Sequence, residues 1–119
     1  MSRITVLGGT GYAGSAVVAE AAARGHQVTA FSRSLPAEPV PGVTYVQGEA
    51  TDEAALAAVV DGADVVVAAL APRGPLADAF RDVYRTVARL ADAAGARLFV
   101  VEPAETDEAT EPEAPEADA

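Results

Sequence analysis

Residues 6–14 read Val6-Leu7-Gly8-Gly9-Thr10-Gly11-Tyr12-Ala13-Gly14. The β-branched apolar run Ile4–Leu7 that leads into the glycines is typical of a buried parallel strand. The spacing of apolar residues after the glycines predicts a helix over Tyr12–Arg24, which Gly25 ends. A strand, a glycine-rich turn and a helix in this order predict the first unit of a Rossmann-type dinucleotide-binding fold.

The glycines of this turn each have a mechanical reason to be there. The segment satisfies GxGxxG with Gly9, Gly11 and Gly14, and it also satisfies GxxGxxG starting from Gly8. The first glycine permits the sharp turn off the strand, Gly11 lets the backbone approach a pyrophosphate, and Gly14 lets the helix pack tightly. The N–H groups and the dipole at the helix start would hold the phosphates. A glycine-rich turn without a ligand is the alternative, and the flanking strand and helix favour the dinucleotide.

Strands and helices continue to alternate as far as Val101. The apolar patterns predict strands over Gln27–Phe31, Val43–Val46, Asp64–Leu70 and Arg97–Val101, and helices over Glu53–Val60 and Leu76–Ala94. Residues 33–42 contain three prolines and a glycine, which predicts a loop unless a short helix lies there. This order predicts an α/β fold, a doubly wound parallel sheet of about five strands in the order 3-2-1-4-5.

The negative charge of the chain is concentrated at one end. The 119 residues carry a net charge of −10, and residues 102–119 contain eight acidic residues and no basic one. Residues 1–101, with ten acidic residues and eight arginines, are nearly neutral. We therefore predict a NAD(P)-binding domain over residues 1–101 and a disordered acidic tail over residues 102–119.

Composition excludes several classes of function. The chain has no Cys and a single His, His26, so disulfides, thiol catalysis and a His or Cys metal site are not expected. No apolar run approaches the roughly 20 residues of a membrane span, and no signal peptide is recognisable, so we expect a cytoplasmic protein. The net negative charge argues against nucleic acid as a partner.

The residues after the second strand indicate which dinucleotide is preferred. NAD-specific sites carry an Asp or Glu there, roughly 20 residues past the glycines, to bind the ribose diol. This chain has Ser32-Arg33-Ser34 and no acidic residue before Glu38. Arg33 could pair with the 2′-phosphate of NADP, and the two serines could donate hydrogen bonds to it. The sequence therefore predicts NADP(H) as the preferred cofactor with NAD(H) possible, and a solvated loop arginine is the alternative.

Three segments together resemble a known family. GGTGYAG (8–14), FSRS (31–34) and GADVVVAALAPRGP (62–75) resemble the atypical short-chain dehydrogenase/reductase family, in the branch of NADH-flavin reductase, biliverdin-reductase-B-like and NmrA-like proteins, which is also similar to NAD-dependent epimerases/dehydratases. The resemblance covers residues 3–101, about the N-terminal half of such a protein. It implies a small-molecule dinucleotide as ligand.

The resemblance also implies roles for individual residues. Thr10, Tyr12 and Ala13 would line the pyrophosphate turn, Glu49-Ala50 would contact adenine, and Ala69-Leu70-Ala71 would run along the nicotinamide-side ribose. From its position in a turn, Arg73 could reach a phosphate or an anionic substrate, or it could be a solvated arginine. The predicted cofactor-binding residues are Gly8, Gly9, Thr10, Gly11, Tyr12, Ala13, Gly14, Ser32, Arg33, Ser34, Glu49, Ala50, Ala69, Leu70, Ala71 and Arg73.

The chain departs from the family in two respects that bear on catalysis. It contains no Lys, so the Tyr-x-x-x-Lys pair of classical members is absent, and Tyr84 is followed four residues later by Ala88. Family members continue after the fifth strand into a sixth strand and a substrate lobe, where this chain has the acidic tail. We identify no catalytic residue from the sequence.

Three hypotheses follow. The first is an oxidoreductase of the atypical short-chain type that transfers a hydride to a flavin, quinone-like or carbonyl acceptor. The second is a non-catalytic NADP(H)-sensing regulatory module like the NmrA-like proteins, and the third is a truncated inactive remnant. An uncovered strand-five edge would weaken the fold, unless a homodimer covers it.

Overall fold

The computed structural model describes residues 2–70 and 76–101, without the side chains of residues 76 and 77. It contains five strands and three helices, in the order β1 (Arg3–Leu7), α1 (Tyr12–Ala23), β2 (Gln27–Ser32), β3 (Thr44–Gln47), α2 (Glu53–Val60), β4 (Val65–Ala68), α3 (Leu76–Ala93) and β5 (Arg97–Val100). Every predicted element is present. The largest difference is in β4, which ends at Ala68 rather than at Leu70.

The strands form one parallel sheet in the order β3-β2-β1-β4-β5, which confirms the predicted Rossmann-like topology. β1 lies at the centre, where Val6 is level with Ala30 of β2 on one side and with Val67 of β4 on the other. Because the chain leaves β1 towards β2 and later crosses to β4, the strand order reverses at this point. The carboxyl ends of β1, β2 and β4 therefore surround a crevice of the kind in which such sheets bind ligands.

Alternate residues of each strand face opposite layers of helix. Leu7, Phe31 and Val66 pack with Leu56 of α2 and Val87 of α3 in one buried cluster. Their neighbours along the strands point to the other face, where the buried residues are Val6, Val18, Ala21, Val28, Ala30 and Val67. Burial on both faces explains why the central strands are continuous apolar runs rather than alternating ones.

The segment between β2 and β3 contains no helix, so the connection is the predicted loop. Val40 and Val43 of this loop pack against the cluster on the α1 face, where a crossover helix would otherwise lie. The hydroxyl oxygen of Tyr45 accepts a hydrogen bond from the backbone N–H of Val40 at 2.9 Å, which closes the loop onto β3. Tyr45 also packs against the cluster on the α1 face, so it is a packing residue.

The ends of the helices follow the sequence signals. Asp52 is the N-cap of α2, and its carboxylate accepts a hydrogen bond from the N–H of Ala55 at 3.3 Å. Gly25, which follows α1, has a φ of 83°, a conformation that favours glycine. Neither of the described helices α1 and α2, nor the described part of α3, is long and apolar enough to cross a membrane. The predicted acidic tail lies outside the described residues.

Candidate functional site

A cleft of about 250 Å³ opens where the strands end at the reversal of strand order. Its walls come from the turns after β1, β2, β3 and β4. The lining residues are Gly8, Thr10, Gly11, Phe31, Ser32, Arg33, Ser34, Gly48, Glu49, Ala50, Thr51, Ala69 and Leu70. Four segments that are distant in the sequence therefore meet in one concave surface, because parallel strands present all their carboxyl ends at the same edge of the sheet.

The glycine-rich turn is fixed to the end of β2 by its own backbone. The N–H groups of Gly8 and Gly9 both donate to the carbonyl oxygen of Phe31, at 2.7 and 3.3 Å. The N–H of Gly11 donates to the carbonyl oxygen of Gly8 at 3.2 Å. The N–H of Thr10 donates to the hydroxyl oxygen of Ser32 at 3.0 Å. The turn therefore has its shape before any ligand arrives.

Two glycines of the motif are needed for packing and do not line the cleft. A Cβ at Gly9 would lie 2.6 Å from the Cβ of Ala30, and a Cβ at Gly14 would overlap the carbonyl oxygen of Gly8. Both contacts are closer than van der Waals distance, so a larger residue would push the turn away from β2 at Gly9 and α1 away from the turn at Gly14. Gly11, by contrast, lines the cleft, and a Cβ there would make an ordinary contact of 3.5 Å with the Gly8 oxygen.

The first turn of α1 offers backbone donors next to the cleft. Gly11 is the N-cap, and no side chain caps the helix there. Within residues 2–70 and 76–101, no acceptor pairs with the N–H groups of Tyr12 and Ala13, whereas Ser15 donates to the Gly11 carbonyl oxygen. Unpaired N–H groups at the positive end of the helix dipole suit the negative charge of a phosphate. The first turn of α1 is therefore suited to bind a diphosphate.

The residues after β2 form the second part of the cleft. Arg33 and Ser34 are exposed, and no carboxylate among the described residues forms an ion pair with the Arg33 guanidinium. Ser32 is only 9% exposed, and its hydroxyl oxygen already accepts from Thr10. Because a hydroxyl donates as well as accepts, its proton is available to a group in the cleft.

The opposite wall comes from the turn after β3. Gly48, Glu49, Ala50 and Thr51 follow one another along it. The ring of Phe31 packs directly beneath this wall, because a Cβ on Gly48 would lie only 2.8 Å from a ring carbon. An apolar floor below exposed backbone suits a flat aromatic group such as a nucleobase.

The structure brings most of the predicted residues to this cleft. Those that line it are Gly8, Thr10, Gly11, Ser32, Arg33, Ser34, Glu49, Ala50, Ala69 and Leu70. Gly9, Tyr12, Ala13 and Gly14 lie beside it on the turn and on α1, and the Tyr12 side chain is 89% exposed. Ala71 and Arg73 lie outside the described residues. Phe31, Gly48 and Thr51 were missed, although each is a direct neighbour of a predicted residue in the sequence.

The cleft lining contains little acid–base chemistry. Arg33 and Glu49 are the only ionisable residues among the described lining residues. Tyr84 of α3 lies nearby, and its hydroxyl group donates to the carbonyl oxygen of Leu70 at 3.4 Å. Its ring also packs edge-on against Phe80, with 4.7 Å between the centroids, so Tyr84 contributes to packing. What the cleft presents is mainly backbone N–H groups, hydroxyls and one cation.

These features define a Rossmann-type dinucleotide-binding domain, and comparison with known proteins gives the family. Residues 8–116 match the family described as NAD(P)H-binding, and the chain belongs to that family. This confirms the resemblance drawn from the sequence.

Individual relatives match this chain over part of their own length. An isoflavone reductase homologue from Zea mays is 38% identical over 97 residues, covering 68% of this chain and 31% of the relative. A solved protein from Burkholderia pseudomallei is 38% identical with a TM-score of 0.65, covering 84% of this chain and 47% of the other. The transcriptional regulator NmrA in complex with NADP is 23% identical with a TM-score of 0.73, covering 83% of this chain and 32% of the other. The chain thus spans less than half the length of each of these proteins.

Proposed function

We propose that this NAD(P)H-binding domain prefers NADP(H), and that the bound nicotinamide serves hydride transfer to a flavin, quinone-like or carbonyl acceptor. One observation carries the preference: at the end of β2 the cleft presents the cation Arg33 between two serines, where an NAD-specific site would present a carboxylate. A dianionic 2′-phosphate would meet a guanidinium and two hydroxyl donors there. NmrA has been solved with NADP and with NAD, so the shared fold leaves this choice to the residues.

Each part of the dinucleotide has a matching part of the cleft. The N–H groups of Tyr12 and Ala13 would hold the diphosphate, and Gly11 leaves room for it to approach. The adenine would lie along Glu49 and Ala50, and the nicotinamide-side ribose would lie beside Ala69 and Leu70. The roles of Ala71 and Arg73, which lie outside the described residues, stay predictions from the sequence. The cofactor supplies the hydride at the nicotinamide C4, while the chain binds and orients it.

A regulatory role is the second candidate function. The described lining residues include no His, Tyr, Cys or Lys that could act as a general acid towards an acceptor, and Glu49 and Arg33 are the only charged side chains among them. A domain that binds the nucleotide and lacks such a donor suits a sensor of the NADP(H) pool. Acceptors that take their proton from water, such as flavins and quinones, remain compatible with the enzyme.

Titration of the purified chain with NADPH and then NADH is the first test. We expect NADPH to bind at least about tenfold more tightly, equivalent to roughly 1.4 kcal/mol, because only NADPH carries the 2′-phosphate. Nicotinamide fluorescence and the rise in melting temperature would report binding independently. Equal affinity for the two nucleotides would contradict the preference, and a cooperatively melting chain that binds neither would contradict the proposed function.

Oxidation of bound NADPH then separates the two candidate functions. The absorbance of the reduced nicotinamide should fall when a flavin or quinone is added to the complex. A protein that binds NADPH tightly and oxidises it no faster than free NADPH in solution would favour the regulatory role.

A second copy of the chain is the partner we propose for the edge of the sheet. β5 is the outermost strand of the described sheet, and Phe99 and Val100 are 48% and 55% exposed on it. The N–H groups of Arg97 and Val101 point inwards to β4, so those of Leu98 and Val100 point outwards. Antiparallel pairing about Phe99 would place Arg97 near the end of the other copy's strand, where the acidic run begins in the sequence.

Replacement of Phe99 by Glu should therefore abolish self-association. The change places two like charges opposite each other at the centre of the pairing. Sedimentation velocity should show a dimer for the wild type and a monomer for Phe99→Glu. The matched control is Leu35→Glu, because Leu35 is also exposed (58%) but lies in the loop after β2. A monomeric wild type would contradict the proposed dimer.

The absence of a nucleic-acid partner and the cytoplasmic location remain predictions from the sequence.

A further inference from the structure

The backbone around Arg33 is held by hydrogen bonds from the segments that follow the two neighbouring strands, β1 and β3. The carbonyl oxygen of Ser32 accepts from the N–H of Gly48 at 2.9 Å, and the Ser32 hydroxyl accepts from Thr10 at 3.0 Å. One residue further on, the carbonyl oxygen of Arg33 accepts from the side-chain amide of Gln47 at 3.0 Å. The residue that would meet the 2′-phosphate is thus fixed through its main chain, while its guanidinium forms no ion pair with any residue that the structure describes.

Gln47 is the last residue of β3, where the hydrogen-bonded pairing with β2 ends. Its backbone is level with Ser32, the last residue of β2, so Arg33 lies just past the paired strands. The side chain of Gln47 extends one residue beyond the paired strands and donates to the Arg33 carbonyl oxygen there. Gln47 does not line the cleft, and its side chain makes no other hydrogen bond that the described residues show.

We propose that Gln47 is a positioning residue that sets the preference for the 2′-phosphorylated nucleotide by holding Arg33 at the cleft. A binding residue whose main chain is fixed before its ligand arrives loses less conformational freedom on binding, so the affinity for the ligand is higher. The contribution applies only to a nucleotide that Arg33 touches through the 2′-phosphate. This inference rests on the proposed function, and it adds a residue that the glycine motif and the family resemblance do not include.

The test replaces Gln47 with methionine, which keeps the length of the side chain and removes the N–H donor. We expect Gln47→Met to weaken NADPH binding about fivefold and to leave NADH binding within about twofold. The matched control is Gln27→Met, because Gln27 is an exposed glutamine at the opposite, amino end of β2. The control should change neither affinity, and circular dichroism with thermal melting should show that both variants remain folded.

A double-mutant cycle distinguishes positioning from a general weakening of the fold. If Gln47 acts through Arg33, Gln47→Met should have no further effect on NADPH binding in an Arg33→Ala background. Equal loss of NADPH and NADH affinity, or a full effect of Gln47→Met without Arg33, would overturn the inference. A wild type that prefers NADPH, together with a Gln47→Met variant that keeps the same preference, would overturn this inference alone. A wild type that binds neither nucleotide would overturn the proposed function and the inference with it.

Discussion

Replacing Gly14 with alanine should lower the free energy of unfolding by about 3 kcal/mol and the melting temperature by about 10 to 20 °C. The added Cβ would overlap the carbonyl oxygen of Gly8 and lie 3.1 Å from the Cα of Gly9. Both atoms belong to the backbone of the glycine-rich turn, which hydrogen bonds to Phe31 hold in place. Neither can move aside cheaply, so α1 must shift from the sheet. Thermal and urea unfolding monitored by circular dichroism measure the effect.

Whether Gly14→Ala lowers or raises the free energy of unfolding tests directly how α1 packs on the turn. In a helix that had room for the methyl group, Gly→Ala would stabilise the protein by about 0.5 to 1 kcal/mol. A more stable Gly14→Ala variant would therefore show that α1 does not pack on the turn as described. The matched control is Gly11→Ala, whose Cβ has only an ordinary contact of 3.5 Å. That variant should melt close to the wild-type temperature but bind NADPH at least about tenfold more weakly, because the methyl group would stand where the diphosphate approaches.

Replacing Arg33 with alanine should weaken NADPH binding by about 10- to 100-fold while leaving NADH binding within about twofold. Hydrogen bonds to a charged group contribute about 1.5 to 3 kcal/mol, which corresponds to this range. Arg33 is exposed and has no ion-pair partner among the described residues, so its removal leaves no buried carboxylate uncompensated. Parallel fluorescence titrations with the two nucleotides at fixed ionic strength give the ratio of affinities.

Arg24→Ala is the control for charge alone. Arg24 is also an exposed arginine, and it pairs with Glu20 after the last turn of α1, at the opposite end of the helix from the cleft. Its removal makes the net charge of the chain more negative by the same amount, so any general electrostatic effect on the nucleotide is equal in the two variants. If Arg24→Ala weakens NADPH binding as much as Arg33→Ala does, or if Arg33→Ala weakens NADH binding equally, Arg33 does not bind the 2′-phosphate.

The order of the strands could be derived from the sequence because each step depends on short-range patterns. The apolar run at Ile4–Leu7, the glycines after it and the helical spacing from Tyr12 onwards are all local signals. Right-handed crossovers between parallel strands then leave few topologies, and the sheet has the predicted one. The positions of most lining residues follow from the same reasoning, since they come directly after strands, whereas Phe31 and Ser32 are the last two residues of β2.

The roles of residues within the turn could not be derived in this way. The family resemblance places Thr10, Tyr12 and Ala13 together at the pyrophosphate turn, and only the structure shows that the Thr10 N–H is already bonded to the hydroxyl of Ser32, 22 residues further along the chain. Among the described residues, the N–H groups of Tyr12, Ala13 and Gly14 have no acceptor and are the backbone donors left at the start of α1. Phe31 and Gly48 form one wall only because β2 and β3 are adjacent and in register.

By itself, then, the sequence determined the fold class, the candidate site at the carboxyl ends of the strands and the position of Arg33 after β2. The tertiary structure alone decided which donors remain free for a ligand and which residue holds Arg33 in place. Hydrogen-bond partners such as Gln47 and Arg33 are 14 residues apart, and strand register brings them together. Periodicity identifies which residues face the core, but pairing between strands is a long-range property that no local pattern contains.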